Sequence, residues 1–317
     1  MNLSSPEPRV RPRPEPVAVP GACRLQHLGV IRAQGPDAAK FLQGQLTQDF
    51  VLLRPGQARL AAYCSAKGRM QASFIGVKRA EDDVLLVMSA DLLAQTLKRL
   101  GMFVLRAQVR LSDDTAAWQL WGVTEQAVPE NLDGLPWSGA TVGSGLAVRL
   151  YPAAGVQRAL MMLPADAAAP SATPMDSELW DWLEVRSGIA MVSAPVFEAF
   201  VPQMLNYESV GGVSFKKGCY PGQEVVARSQ FRGTLKRRAF LSRCDAPMTV
   251  GQDVFHSSDA GQPCGTVAAV ATEPGGGFVA IVSMQVSAAS DGQLHLGSAD
   301  GSLLTLLPLP YPLLDDI

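Results

Sequence analysis

The stretch that decides the interpretation of this chain is Lys216-Lys217-Gly218-Cys219-Tyr220-Pro221-Gly222-Gln223-Glu224-Val225-Val226-Ala227-Arg228, residues 216–228, which combines a thiol, a turn and several cations. Pro221-Gly222 predicts a turn, and the residues after it favour a helix in which Glu224 and Arg228 are spaced to pair. Cys219 would then lie just before the helix, where the positive end of the helix dipole and two lysines favour the thiolate. The alternative is a small buried cysteine, which is the usual state of a free thiol.

Positive charge is concentrated around this stretch, although the whole chain has a formal charge of -2. Between residues 216 and 238 a single acid, Glu224, stands among seven cations: Lys216, Lys217, Arg228, Arg232, Lys236, Arg237 and Arg238. Such a patch suits an anionic small molecule, an acidic protein surface or a phosphate backbone. A solvated loop and helix face is the commoner outcome for a run of charges, and it stays open here.

Composition indicates a globular protein of two or three domains, since 47% of the 317 residues are hydrophobic and 18% are charged. No apolar run is long enough for a membrane-spanning helix, so no membrane partner is expected. Residues 1–22 begin with a proline-rich stretch that lacks an apolar signal region, which predicts a disordered segment and a cytoplasmic protein. The five cysteines are widely spaced without a Cys-x-x-Cys pair, so we expect free thiols and no metal site.

Residues 23–163 predict an α+β domain with antiparallel character, because strands and helices alternate with hairpins between them. Strands are expected at 25–34, 59–64, 71–78, 84–88, 102–111, 118–123, 146–151 and 159–163. Helices are expected after Gly35-Pro36-Asp37 and at 92–100, the second capped by Asp91. A linker at 164–176 then leads to a second part of this domain, 177–237, with a helix capped by Asp176 or Ser177. Trp180 and Trp182 fall on different faces of that helix, which leaves two interpretations: a tryptophan that projects from the core and stacks on a flat heterocycle, or, more commonly at this spacing, a tryptophan packed in the core.

Residues 238–317 predict a small β-barrel or sandwich, because short strands alternate with Gly, Asp and Ser turns. The chain carries no phosphate loop, dinucleotide fingerprint, zinc-protease pair or nucleophile elbow. His256 and His295 have no partners at metal-ligand spacing. From the residues alone, the candidate chemistry is therefore one activated thiol and one cationic patch.

The run from Gly211 to Arg228 resembles the signature of the YgfZ family, the folate-binding relatives of the glycine-cleavage T-protein. Supporting stretches, which extend the similarity from about residue 25 to 311, are Phe41–Asp49, Ser65–Met70, Phe200–Gln203, Phe231–Gly233 and Leu307–Tyr311.

The resemblance implies a T-protein-like folate-binding body of interlocked α+β segments, followed by a C-terminal β-barrel. It further implies that tetrahydrofolate binds in a central channel and that the protein supports iron-sulfur enzymes, including those that modify tRNA. Cys219 inherits the role of the functional thiol, and Trp180 and Leu28 occupy positions linked to folate binding, with Lys217 and Arg228 as further folate contacts.

Three positions depart from the patterns that the resemblance implies. Leu28 stands where the family carries a second tryptophan, and Arg186 stands where T-proteins carry a glutamate, with Glu184 half a turn away. Thr96 falls, by direct count, where the methyltransferases carry their catalytic aspartate, which counts against aminomethyl transfer.

Three functions follow from these observations. We favour a tetrahydrofolate-binding accessory protein that supports iron-sulfur enzymes and has no classical catalytic turnover of its own. The alternatives are a tetrahydrofolate-dependent aminomethyltransferase and a protein that binds tRNA directly through Lys236, Arg237 and Arg238.

Overall fold

The computed structural model describes residues 21–231 and 235–314. The strands are β1 Gly21–Arg24, β2 Leu28–Gln34, β3 Ala58–Cys64, β4 Met70–Ala80, β5 Asp83–Ser89, β6 Arg110–Asp113, β7 Trp118–Thr124, β8 Gly139–Val142, β9 Gly145–Arg149, β10 Arg158–Pro164, β11 Arg237–Cys244, β12 Asp253–His256, β13 Asp259–Thr272, β14 Phe278–Gln285, β15 Leu294–Leu296 and β16 Leu303–Leu307. The helices are α1 Ala38–Gln45, α2 Leu93–Gly101, α3 Ser177–Arg186 and α4 Gln223–Phe231. None of the helices within the described ranges is both long and apolar enough to span a membrane.

Two five-stranded antiparallel sheets form the body of the molecule. The first has the strand order β3-β4-β5-β2-β6, and the second has the order β1-β7-β10-β9-β8. The hairpin predicted at 59–78 is confirmed as β3 and β4, whose register pairs Leu60 with Ile75. The strand predicted at 25–34 is confirmed as β2, which pairs with β5, whereas β1 precedes it, was not predicted, and belongs to the other sheet through its pairing with β7.

The C-terminal strands close into a barrel in the order β11-β14-β13-β12-β15-β16, which confirms the expected β-barrel. Successive side chains along a β-strand point to opposite faces, so the residues of a barrel strand contribute alternately to two hydrophobic cores. On β14, Ala280, Val282 and Met284 point into the barrel. Val279 and Ile281 belong instead to the core of the body. The barrel is therefore packed against the body through one apolar face.

Helix α3 lies between the body and the barrel and positions the site described below. The predicted cap is confirmed, since the Asp176 carboxylate accepts a hydrogen bond from the Glu178 backbone N–H at 3.0 Å. Of the two interpretations of its tryptophans, the packed one is confirmed, because Trp180 and Trp182 are only 1% and 5% exposed. An amphipathic helix at a protein surface buries one face. Helix α3 is instead buried on two sides, because it contacts the barrel strands β13 and β14 as well as β1 of the body.

Other local predictions differ from the structure. The strand expected at 102–111 is limited to β6, and the apolar residues Met102, Phe103 and Leu105 that suggested it lie at the surface without a partner strand. Asp91 does not cap α2. Its carboxylate accepts hydrogen bonds from Ser89 Oγ and from the Ala194 backbone N–H.

Residues 1–20 of the segment predicted to be disordered lie outside the described ranges, and residues 21 and 22 begin β1. The predicted linker 164–176 runs partly along this strand. The Ala22 backbone N–H donates to the Thr173 carbonyl, and the Met175 N–H donates to the Ala22 carbonyl, both at 2.9 Å. The division into a body of two parts, 23–163 and 177–237, and a domain from 238 stays a prediction.

Candidate functional site: an exposed thiol and a central cavity

Cys219 is the one exposed cysteine, while Cys23, Cys64, Cys244 and Cys264 are buried. Residues 216–222 precede α4 as an irregular segment, so the thiol is presented from a loop and not from a helix. This segment has no regular hydrogen-bonding pattern of its own. Its position therefore depends on contacts with other parts of the chain.

Lys217 makes the first of these contacts. Its ammonium donates hydrogen bonds to the carbonyl oxygens of Gln43, at the end of α1, and of Gly218, and it lies 4.4 Å from the centre of the Tyr220 ring. The side chain is buried, and burial lowers the pKa of Lys217 to about 8, although the negative charges of Asp49 and Cys219 oppose this shift. Lys217 therefore joins the loop to the body of the protein and places a cation beside the thiol.

The turn between β3 and β4 makes the second contact. A Cβ atom on Gly222 would lie 2.4 Å from the Ser65 carbonyl oxygen and 2.7 Å from the Gly68 Cα, so only glycine fits here. Gly68 in turn faces Val225 of α4, and both glycines have positive φ angles, of 71° and 79°. The 65–69 turn and the cysteine loop, separated by about 150 residues, thus form one surface.

Residues 211–214 make the third contact, with the segment that follows α1. Thr47 Oγ1 donates to the Gly212 carbonyl at 2.6 Å, and the Ser214 backbone N–H donates to the Thr47 carbonyl at 2.9 Å. Three of the stretches that carry the family resemblance therefore converge around Cys219. Sequence reasoning singled them out, but it had no signal that they meet.

The surroundings of the thiol differ from the predicted helix terminus. The first N–H groups of α4 are occupied, because Gln223 donates to the Tyr220 carbonyl and Val225 donates to the Gly222 carbonyl. Among the described residues none donates a hydrogen bond to the Cys219 sulfur. The cation that the structure places near Cys219 is therefore the Lys217 ammonium, and the start of α4 is already occupied by its own turn.

A cavity of about 220 Å³, here called the central cavity, lies between the two sheets, α3 and the barrel. Its walls are mostly apolar and include Leu28, Ile75, Leu160, Trp180, Ile189 and Met191. A smaller space of about 30 Å³ continues from it toward Tyr151 and Tyr207 and shares Ile75 and Glu184. Two carboxylates, Asp181 and Glu184, supply its negative charge.

Leu28 and Trp180 are brought together in this cavity, whereas Cys219, Lys217 and Arg228 are not among its lining residues. Trp180 lies flat against the backbone of Gly122, where an added Cβ would be 2.5 Å from the ring. The Arg158 guanidinium is 5.1 Å from the ring centre. The indole is therefore a packed part of the cavity wall.

Glu184 carries the polar chemistry of the cavity. Its Oε1 accepts a hydrogen bond from Arg158 Nη1 at 2.6 Å, and Arg158 is itself buried and also donates to the Tyr151 carbonyl. The other oxygen, Oε2, accepts no hydrogen bond from the described part of the chain. A carboxylate is thus fixed at the wall with one oxygen available to a ligand. Arg158 had no sequence signal, because it lies 26 residues from its partner.

Arg186 lies on the other side of α3. Its guanidinium is 5.9 Å from the centre of the Trp182 ring, and the pKa of Arg186 is lowered by burial while the charge of Glu273 on the barrel side opposes the shift. Arg186 is therefore directed away from the central cavity. Arg186 replaces the glutamate that T-proteins carry at this position. The carboxylate held in place at the cavity wall is therefore that of Glu184, through its hydrogen bond from Arg158.

Asp181 stands one turn before Glu184 on the same face of α3. The pKa of Asp181 is raised by partial burial and by the nearby carboxylates of Glu184, Glu178 and Asp176, while His27 opposes this shift. An acid of raised pKa beside a fixed carboxylate is a combination that can both donate and accept protons.

Thr96 does not reach the central cavity. It lines a separate cleft of about 210 Å³ with Tyr63, Gln71, Arg99 and Phe197. A residue counted as the equivalent of a catalytic aspartate is thus located outside the central cavity.

The predicted cationic patch is largely taken up by internal contacts. Lys217 is buried, and Arg238 forms an ion pair at 2.8 Å with Glu208, whose side chain is fully buried. Arg228 is exposed but pairs with Glu224 at 2.9 Å, as its spacing predicted. Arg232 lies outside the described residues. Of the three cations suggested for direct tRNA binding, Arg238 is thus paired internally, while Lys236 and Arg237 remain together on the barrel side.

No group of three or more His, Cys, Asp or Glu side chains in the described ranges has an arrangement suited to a metal ion. His256 contacts Ser258 Oγ and the Asp291 carbonyl, and His295 contacts the Gly301 carbonyl.

Comparison with known proteins agrees with this architecture. Residues 19–135 match the family model of the GCVT N-terminal domain. The glycine cleavage system aminomethyltransferase T of Bartonella henselae superposes with a TM-score of 0.67 at 19% identity, covering 93% of this chain and 87% of that one.

Two curated relatives are similar over almost the whole length. The tRNA-modifying protein YgfZ of Edwardsiella ictaluri is 32% identical over 98% of both chains. The protein of the same name from Photorhabdus laumondii is 31% identical over 91% of this chain and 92% of its own. The chain described here therefore belongs to the YgfZ family.

Proposed function

We propose that this chain is a cytoplasmic accessory protein that binds tetrahydrofolate in the central cavity and supports the iron-sulfur enzymes of tRNA modification, with Cys219 as the functional thiol. The observation that carries the folate part is the Glu184 carboxylate, which is held by Arg158 in a mostly apolar cavity and keeps one oxygen available. The names of the relatives support the link to tRNA modification.

The lining of the cavity fits one end of a reduced folate. A pterin presents adjacent N–H donors on one edge and apolar faces, and a carboxylate in an apolar cavity matches both. Glu184 would hold the donor edge, Asp181 would contact it from the next turn, and Leu28 and Trp180 would contact the ring faces or edges. When bound, the folate would supply one-carbon or redox chemistry.

The size of the cavity limits how much of the ligand is enclosed. About 220 Å³ is less than the roughly 300 to 1,000 Å³ of sites that enclose drug-sized ligands. The benzoyl-glutamate part of the ligand would therefore extend beyond the central cavity. Lys217 is already bonded to two carbonyl groups and Arg228 to Glu224, so these cations are poorly placed to hold that part.

The same geometry disfavours aminomethyl transfer as the main activity. That reaction needs a carboxylate beside the folate nitrogens, and Thr96 lies in a different cleft. A substrate arm would have to reach Asp181 or Glu184 instead.

Cys219 is suited to contact a macromolecule, because it is exposed on a loop that three other segments hold in place. A client protein can approach this surface without entering the central cavity. We propose that folate and client therefore occupy separate sites of one molecule.

Tryptophan fluorescence during titration with tetrahydrofolate tests the folate site. We expect Glu184→Gln to weaken binding by about tenfold or more, because a charge-assisted contact is lost. Glu178→Gln is the matched control, since Glu178 lies on the same helix outside the central cavity. Titration of Trp180→Phe shows whether the fluorescence change comes from Trp180 at the cavity wall. Equal affinities for the two glutamine variants would refute the assignment.

The role of the thiol is tested in cells that lack the endogenous relative. Cys219→Ala should leave the melting temperature unchanged and fail to restore the activity of an iron-sulfur enzyme that modifies tRNA. Full restoration would show that the thiol is not required.

A further inference from the structure

A second large cavity, here called the barrel cleft, lies where α4, the 3-10 helix Pro202–Leu205 and the barrel meet. Its volume is about 880 Å³, within the range of ligand sites. Its apolar wall includes Val201, Met204 and Val286, and its polar groups include Gln203, Lys236 and Arg237. It shares no lining residue with the central cavity.

Gln203 lines this cleft and has a buried amide oxygen without a partner in the described structure. Its Nε2 donates a hydrogen bond to the Val226 carbonyl at 2.7 Å, which fixes the orientation of the amide, because a carbonyl can accept only from the nitrogen. The side chain is 1% exposed, and its Oε1 has no hydrogen-bond partner in the described structure. A buried acceptor without a partner is costly, so an N–H group of a ligand would be favoured here.

Lys236 and Arg237 make the cleft electropositive. No Asp or Glu is among the lining residues, and neither cation forms an ion pair with a residue of the described ranges. The next residue along β11, Arg238, points the opposite way to its partner Glu208. Ser287 adds a hydroxyl group to the same lining, whereas the Ser229 hydroxyl donates to the Val225 carbonyl at 2.9 Å. Adjacent guanidinium, ammonium and hydroxyl donors are the groups that bind phosphate oxygens.

We propose that the barrel cleft binds a nucleotide, either free or as part of an RNA chain. The phosphate would contact Lys236 and Arg237, the base would pack on the apolar wall, and an N–H group of the base would donate to Gln203 Oε1. A simple anion would use only the cations, and an uncharged ring would use only the wall. A nucleotide uses all three features, and the inference does not depend on folate binding because the two cavities are separate.

The test uses the full chain and adenosine monophosphate, inorganic phosphate and a fluorescent single-stranded RNA as probes. Calorimetry should show saturable binding of the nucleotide, weaker by about tenfold or more in Arg237→Gln. Arg243→Gln is the matched control. Arg243 lies on the same strand but does not line the cleft, and its Nε forms an ion pair of 2.6 Å with Glu273. Val286→Glu, at an exposed position of the apolar wall, should also abolish binding, and thermal melting verifies that each variant is folded.

The probes distinguish the source of the nucleotide. If RNA binds and adenosine monophosphate displaces it, the site accepts a nucleotide of RNA, and Arg237→Gln should make the salt dependence shallower by about 0.7 in log–log slope. If the mononucleotide binds and RNA does not, the ligand is a free nucleotide. The proposal is overturned if neither binds saturably, if Arg237→Gln behaves like Arg243→Gln, or if inorganic phosphate binds as tightly as the nucleotide.

Discussion

Replacing Lys217 by Met should remove a specific increase of stability with pH. The ammonium is buried between two carbonyl groups and a tyrosine ring, and burial lowers its pKa from 10.5 to about 8. Between these two values the unfolded chain binds more protons than the native one, so the free energy of unfolding increases as the pH rises. For pKa values of about 8 and 10.5, the linkage relation gives a gain of about 2 kcal/mol from pH 7 to pH 9.5.

The assay is urea denaturation at four pH values between 7 and 9.5, performed in a Cys219→Ala background so that the thiol does not titrate. The difference between the parent and Lys217→Met cancels the titration of all other groups. Lys216→Met is the matched control, because it removes an exposed lysine next to Lys217 in the same loop. If the parent and Lys217→Met curves run parallel across this range, the ammonium is not desolvated as the structure indicates, and the reasoning fails.

Three further predictions concern packing, charge and thiol access. Gly122→Ala should lower the free energy of unfolding, measured by urea denaturation, by about 1–3 kcal/mol, because the added Cβ would overlap the Trp180 indole. Gly44→Ala is the control, since Gly44 lies in α1 with open space around it, and it should be neutral or stabilising by up to about 1 kcal/mol. Arg238→Ala should cost about 3–5 kcal/mol because it leaves a buried carboxylate without its ion pair, while Arg228→Ala at an exposed pair should cost less than about 1 kcal/mol. A thiol reagent at pH 8 should modify one cysteine rapidly in the native chain and none in Cys219→Ala, and more than one rapid modification would contradict the burial of the other four.

Local signals were enough to predict the α+β body, the β3–β4 hairpin, the capped helix α3 and an all-β C-terminal domain, and the family resemblance specified that this domain is a barrel. Each depends on residues close in sequence, such as the Asp176 cap or the alternation along the barrel strands. The strand at 102–111 was wrong because an apolar run fits a strand only when a partner strand is available. The sheet change between β1 and β2 was missed for the same reason, since partner choice is set by the whole fold.

The candidate sites were predicted less completely, because their geometry comes from contacts across the chain. The sequence singled out Cys219 and Trp180, and the family resemblance grouped Lys217 and Arg228 with the folate contacts, although in the structure hydrogen bonds to Gln43 and Glu224 occupy these two side chains. The Glu224–Arg228 pair was predicted from its spacing, whereas the Lys217–Gln43 contact joins residues far apart in the chain, which a single sequence does not report. The sequence also left open whether Cys219 is a reactive thiol at the start of a helix or a small buried cysteine.

The orientation of α3 explains why the central cavity and the cysteine surface should bind different partners. At about 100° per residue, Glu184 shares a face with Trp180 and Asp181, while Arg186 is rotated by about 200° and faces the barrel. The cavity is consequently lined by two carboxylates, of which Glu184 is paired with Arg158, and the proposed ligand is therefore one rich in N–H donors. Cys219 is exposed on a different surface and is not among the residues that line the central cavity. Under the proposed function, a ligand in the cavity would therefore not compete with a client at the thiol, and one molecule could hold both together.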